Sequence, residues 1–552
     1  PVGSAVYGLP GAFRALASPL STLPMMKTSL VALFSATLVT GAVLAQAPTL
    51  LRDINTVPAS NSYGWSNSSA GSAAALAGKL YFTGRTPNTG LELWFTDGTA
   101  VGTELVWDVM PGENSAISTT IGNPADHFAH GGKLYYSYRT IDTGRELWVY
   151  DPTLPRSGLN PRLVKDIRPG VEPTGNGIPT NLFEYLGNLY FLCDDGTNGL
   201  ELWTTDGTAA GTFMAWESIP GPGSLFVLSF GSPRPEFAVD NTGGVLYMGM
   251  SGQLWAAAGG FGAGQVNQID PTNVVQGTIG NITPMIASGV GNTVFLSADS
   301  TGTGGFSAPD VELFRVDLTA VPPVIVQVAD IIPGIVNGSN PSFFTEFEGE
   351  LYFSARDFVH PNGRSMNDEP WKSDGTTVGT VKLKEINNGV QPWDPTQPAG
   401  SNVFQQTIVM GAGTPAAKLY FGATSDLVGR EIWETDGTTA GTVLTVDINV
   451  GAASSTPDKF ARLSATEFVF VADDGTNGKE PWKTDGTNTA MILDIEPTGS
   501  SSPVFFHELA PGQMVFSARL DAIQNEPWIT DGTPAGTVLI KDVYQPFPGQ
   551  SN

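Results

Sequence analysis

Short apolar runs alternate with glycine-, aspartate- and asparagine-rich breaks along most of the chain, and no helical period persists after residue 46. The clearest stretch is Gly187–Phe213, GNLYFLCDDGTNGLELWTTDGTAAGTF. It reads as a strand, a turn, a strand ending on Trp203, a second turn and the start of a third strand. One strand of this unit recurs as Lys79-Leu-Tyr-Phe82, Lys133-Leu-Tyr-Tyr136, Glu350-Leu-Tyr-Phe353 and Lys418-Leu-Tyr-Phe421. The next recurs as Leu91-Glu-Leu-Trp94, Arg145-Glu-Leu-Trp148 and Arg430-Glu-Ile-Trp433. Aromatic and β-branched residues between turn formers predict an all-β chain.

The anchor of each unit is Trp94, Trp148, Trp203, Trp255, Phe314, Trp371, Trp433, Trp482 or Trp528, a period of about 54 residues. Eight of the twelve tryptophans stand at this one position, so it is the organising feature of the fold. Each unit supplies four short strands, and radial repetition of such a sheet gives a single β-propeller of eight or nine antiparallel blades. The anchors are then expected to wedge between neighbouring sheets.

The turns have their own chemistry. Asp97, Asp206, Asp374, Asp436, Asp485 and Asp531 each begin an Asp-Gly-Thr three residues past the anchor. Aspartate can bond its own backbone two residues on, and glycine takes the positive-φ position. A second Gly-Thr, as at Gly102, Gly211 and Gly441, marks where the chain resumes a strand. A glutamate lies two residues before most anchors: Glu92, Glu146, Glu201, Glu312, Glu369, Glu431, Glu480 and Glu526. Strand alternation puts it on the tryptophan's face. A carboxylate there needs hydrogen-bond partners, so capping of backbone N–H groups or of a threonine hydroxyl between sheets is expected.

The whole pattern, Glu-Leu-Trp-x-x-Asp-Gly-Thr with a trailing Gly-Thr and an Asp-Ile strand, resembles the bacterial ELWxxDGT repeat proteins from about Leu50 to Gly549. The resemblance implies a large, secreted, repeat-built β protein and supplies no catalytic residues. Ala472–Trp482, ADDGTNGKEPW, is also similar to the tryptophan-docking motif of eight-bladed quinoprotein dehydrogenases, which favours a propeller.

Residues 1–24 precede Met25 and read as an upstream or non-native segment; residues 25–45 read as a signal peptide, with Lys27 before an apolar run and small residues at its end. Residues 46–552 are the expected propeller, with no further stretch apolar enough to span a bilayer. Leu50–Ile54 copies the fourth strand of the repeat and is expected to help close the ring. Residues 387–417 form the longest irregular segment.

A formal charge of −26 and a pI near 4.4 argue against nucleic acid or anionic lipid as partners. The single cysteine, Cys193, excludes intrachain disulfides and CxxC sites, and a lone strand cysteine reads as a small core residue. The four histidines, His127, His130, His360 and His507, fall in no metal or nucleophile motif. Asp194-Asp195-Gly and Asp473-Asp474-Gly are oxygen-rich turns that make calcium a candidate, although neither has the spaced acids of a dedicated loop. Tyr63, Trp65 and Trp393 lie in irregular segments and are candidate loop contacts to an extracellular protein or glycan. The expected function is that of a secreted, non-enzymatic, monomeric binding or scaffold module without catalytic or cofactor residues. The alternative is a propeller enzyme of the quinoprotein dehydrogenase or polysaccharide-degrading type.

Overall fold

The computed structural model describes residues 73–540 apart from 87–88, 112–126, 172–174, 227–235, 240–243, 251–252, 262–264, 270–278, 288–290, 300–309, 318–319, 321, 335–337, 360–364, 392–393, 404–406, 415 and 522–523. The described residues form nine four-stranded antiparallel sheets, each built from four consecutive strands, and contain no helix. The sheets span 73–105, 128–165, 180–216, 236–268, 279–329, 342–382, 407–446, 458–491 and 504–539, here blades 1 to 9. They follow one another around a ring, so the chain is a nine-bladed β-propeller. The irregular segment after blade 6 contains a hairpin of its own, Val390–Gln391 paired with Asp394–Pro398.

The register repeats as faithfully as the sequence. In every blade the anchor of the third strand stands opposite an apolar residue of the second: Phe82 and Trp94, Tyr136 and Trp148, Phe191 and Trp203, Phe421 and Trp433, Phe516 and Trp528. The less regular blades 4 and 5 keep it, with Met248 opposite Trp255 and Leu296 opposite Phe314. A one-residue slip would turn each wedge to the other face, and the cross-strand apolar pair fixes the register against it.

Those pairs build the core, which lies between blades. The face carrying the anchor packs on the preceding blade: Leu189, Phe191 and Trp203 of blade 3 lie against Tyr135, Leu147 and Ile167 of blade 2. Leu419, Phe421 and Trp433 of blade 7 meet Tyr352, Leu383 and Ile386 of blade 6 in the same way. The ring closes by the same rule, with Leu80 of blade 1 against Val515, Ile529 and Ile540 of blade 9. Leu50–Ile54 lies outside the described residues. First strands neighbour first strands around the ring, including Ala73–Leu76 beside Val504–Ala510, so they are the innermost.

The Asp-Gly-Thr turn joins blades as well as strands. Gly207, Gly437 and Gly486 have φ of +85°, +89° and +84°, and a Cβ at each would lie 2.5, 2.6 and 2.1 Å from the Tyr135, Tyr352 or Tyr420 hydroxyl of the preceding blade. Glycine is needed there both for its backbone and for the neighbour's approach. The second glycine has a different reason: a Cβ on Gly441 would fall 2.0 Å from Oδ1 of Asp436, which folds back over the turn. Gly437→Ala is expected to lower stability by about 1–3 kcal/mol in urea melts, with part of the loss restored by Tyr352→Phe in the same chain.

Candidate functional site

Each repeated aspartate is tied into its own turn. Oδ1 of Asp206 accepts the N–H of Thr208 at 2.8 Å and its hydroxyl at 2.7 Å, and Asp436 is held identically by Thr438 at 2.9 and 2.7 Å. The threonine hydroxyl and N–H hold both carboxyls below their ordinary range. Asp97 and Asp531 make the same pair of bonds with Thr99 and Thr533.

The eight third-strand glutamates are all inaccessible to solvent, at 0–1% exposure. Burying a carboxyl this deeply demands donors. Glu431 accepts from Ile448 N–H at 3.0 Å, Ser455 N–H at 2.7 Å and the Ser455 hydroxyl at 2.6 Å. Glu312 receives Ile331 N–H and both groups of Ser339, and Glu480 receives Ile495 N–H and both groups of Ser501. Ile448 ends blade 7 and Ser455 leads into blade 8, so one carboxyl ties the end of its blade to the start of the next. Glu369 uses Ile386 and Ser401 similarly. Variants follow local sequence: Glu146 takes Ile167 and Arg168 N–H groups where Gly177 occupies the serine position, Glu201 takes both groups of Ser218, and Glu92 takes the N–H groups of Val109 and Met110. Blade 4 has Gln253 at this position.

The serines were not singled out from sequence. Their signal is the tripeptide Ser-x-Pro at Ser339–Pro341, Ser455–Pro457 and Ser501–Pro503, whose middle residue has a left-handed φ of 46–49°. The hydroxyl, rather than a threonine's, caps the carboxyl. It also lies 3.4 Å from Arg430 O in blade 7 and 3.3 Å from Lys479 O in blade 8. A protonated glutamate can therefore donate to the serine oxygen while the serine donates to that carbonyl.

Protonation matters because burial pushes Glu146 and Glu369 up to about 8, and Glu201 and Glu312 to about 7, against the backbone N–H groups that pull the other way. Burial raises Glu431 and Glu480 too. These values exceed the ordinary 4.5, so between pH 4.5 and 8 the folded chain holds more protons than the unfolded one. The linked stability is fully present below pH 4.5 and is lost as pH rises through 7 and 8. The melting temperature is expected to fall from pH 5 to pH 9, with a shallower fall in Glu146→Gln.

Asp194 and Asp195 are already engaged. Asp195 accepts the N–H groups of Thr197 and Asn198 and the Asn198 amide at 2.7–2.8 Å, while Asp194 accepts Gly196 N–H and pairs with Arg168 at 2.6 Å. Asp474 repeats this with Thr476 and Asn477. Among the described residues no group of three or more His, Cys, Asp or Glu side chains converges as metal ligands. Cys193 is buried, its thiol donating to Gly177 O at 3.3 Å, and burial pushes the thiol well up. His127 is buried beside Tyr136, and His130 pairs with Glu184 at 3.1 Å.

The anchors are wedges in the inter-blade cores. Trp94, Trp203, Phe314, Trp433 and Trp528 are buried, and Trp148, Trp255, Trp371 and Trp482 are partly buried in the same clusters. Tyr63, Trp65 and Trp393 lie outside the described residues. A different tryptophan is open: Trp107 is 40% exposed beside a groove of about 470 Å³ lined by Leu105, Val106, Trp107, Asp108 and Arg156. The groove runs between the end of blade 1 and the third turn of blade 2. Exposed side chains of the innermost strands include Phe343, Phe505, Glu184, Glu346 and Glu508.

No family model matches the chain, and no curated protein matches it in sequence. Among solved structures it is similar to a puromycin hydrolase at 14% identity, covering 77% of this chain and 62% of that one with a TM-score of 0.35. It is similar to a eukaryotic initiation factor at 8% identity, with 83% and 94% covered and a TM-score of 0.44. Prolyl oligopeptidase B from Galerina marginata, bound to a 35mer hydrolysis and macrocyclization substrate, shares 12% identity over 74% of this chain and 55% of its own, with a TM-score of 0.35. The chain thus spans less than two thirds of the two hydrolytic enzymes. Likenesses this distant assign no activity to it.

Proposed function

We propose that the chain is an exported propeller of the ELWxxDGT kind that binds an extracellular ligand through its surface without transforming it. One observation carries the reading. The Asp-Gly-Thr aspartates and the third-strand glutamates that recur from blade to blade are committed to the fold, the aspartates to their own turns and the glutamates to the joins between blades. Their repetition is accounted for by folding, and recognition is left to the places where the repeat is broken. The groove beside Trp107 is such a place, lined by Leu105, Val106 and Trp107 together with Asp108 and Arg156.

The test is to purify the secreted protein, sequence its N-terminus, and offer it a glycan array and a solubilised surface-protein fraction. Cleavage after Ala45 or Ala47 and saturable retention of one component, recovered unchanged, is the expected result. Failure to leave the cell, or steady release of reducing sugar or dye-linked alcohol oxidation, would overturn it.

A further inference from the structure

We propose that the groove between blades 1 and 2 takes a neutral saccharide, with the partly exposed Trp107 as platform and Arg156 and Asp108 as polar partners. This rests on the binding role above and names its ligand class.

The groove opens where the third turn of blade 2 departs from the repeat, beside a position that varies among blades and is Trp216 in blade 3 and Val446 in blade 7. At the position of Trp107, blades 2 and 6 carry Lys165 and Lys384. Lys165 crosses to the next blade and donates to Thr212 O at 2.7 Å, and Lys384 donates likewise to Thr442 O. Each closes the gap over its neighbour's Asp-Gly-Thr loop. Blade 1 has an indole instead of the ammonium, and blade 2 replaces the loop by residues 151–161.

That loop is firmly built. Asp151 accepts the N–H and hydroxyl of Thr153 at 2.9 and 2.6 Å. Asn160, 4% exposed, accepts Asp151 N–H at 3.0 Å and donates to Asp151 O at 2.8 Å. From this frame Arg156 reaches back to blade 1. It donates to Leu105 O at 2.9 Å, pairs with Glu104, and lies 5.2 Å over the Phe95 ring. The wall of the groove is therefore fixed before any ligand arrives.

The chemistry selects the occupant. An indole face is electron-rich and attracts C–H groups. The charge of Arg156 is met by Glu104, which leaves a directional donor without excess charge. Asp108 lines the groove beside it and supplies a carboxylate. A pyranose offers what these groups lack: a C–H face for Trp107 and a rim of hydroxyls that both donate and accept. A volume of about 470 Å³ suits a small ligand. A chain of charge −26 disfavours an acidic polymer.

The experiment titrates the full secreted chain with cellohexaose, laminarihexaose, maltohexaose, chitohexaose and oligogalacturonate, read by calorimetry and tryptophan fluorescence. At least one neutral hexasaccharide is expected to bind with a fluorescence change, and oligogalacturonate is not. Trp107→Ala should weaken that binding tenfold or more and Arg156→Gln threefold or more, with melting curves unchanged; Phe213→Ala, on an outer strand elsewhere, should bind as wild type. Binding of none of the neutral sugars, or equal binding by Trp107→Ala, overturns the assignment. A surface protein retained equally by wild type and Trp107→Ala overturns the groove but leaves the binding role standing. A neutral saccharide held through Trp107 and then cleaved keeps the groove and overturns the non-catalytic role.

Discussion

Glu431→Ala is expected to destabilise the propeller by about 3–5 kcal/mol, read as a fall in the urea midpoint. The loss has two parts. Three donors, Ile448 N–H, Ser455 N–H and the Ser455 hydroxyl, lose their acceptor in a place that water does not reach. Each buried donor left alone costs about 1–3 kcal/mol. The second part is geometric. The carboxyl joins both Ile448 and Ser455 to the third strand, so its removal loosens blade 7 from the start of blade 8. Ser455→Ala removes one donor and leaves the backbone bonds, so its expected loss is smaller, about 1 kcal/mol. If Glu431→Ala melted like wild type, the carboxyl would not be joining blades.

Trp528→Ala is expected to cost a similar amount, about 3–5 kcal/mol, for a different reason. The indole is 0% exposed and stacks on Phe516 at 6.4 Å between ring centres, packed against Ile495 and Leu493 of blade 8. Truncation leaves a cavity between two sheets whose backbones are each held by four-strand ladders and cannot easily collapse into it. Trp528→Phe should lose far less, because Phe314 already fills the equivalent place in blade 5 at 5% exposure. Equal losses from the two variants would mean that the wedge acts by something other than filling space.

The parts of this fold that were legible in the sequence are those set by neighbours along the chain. Strand alternation, Asp-Gly-Thr turns and the Trp anchor depend on residues within a few positions of each other, and they mark all-β blades directly. Blade number was readable only as eight or nine, because blade 4 has Gln253 for its glutamate and blade 5 has Phe314 for its tryptophan, while the backbone register at both is unchanged. The glutamates were expected to cap N–H groups, but their serine partners lie 21–27 residues away in blades 5, 7 and 8, across a blade junction. Only a repeated Ser-x-Pro hinted at them. The candidate site was least legible. Trp107 and Arg156 are 49 residues apart and adjacent only because blade 2 packs on blade 1, and Arg156 stands in a loop that replaces the repeated Asp-Gly-Thr turn.

A crystal structure of the chain examines the closed ring most directly at its seam. Nine sheets, with Leu80 seated on Val515 and Ile529 and the Trp94 and Trp528 indoles enclosed, is the expected density. A gap at that seam, an open spiral of blades, or anchors facing solvent would contradict it.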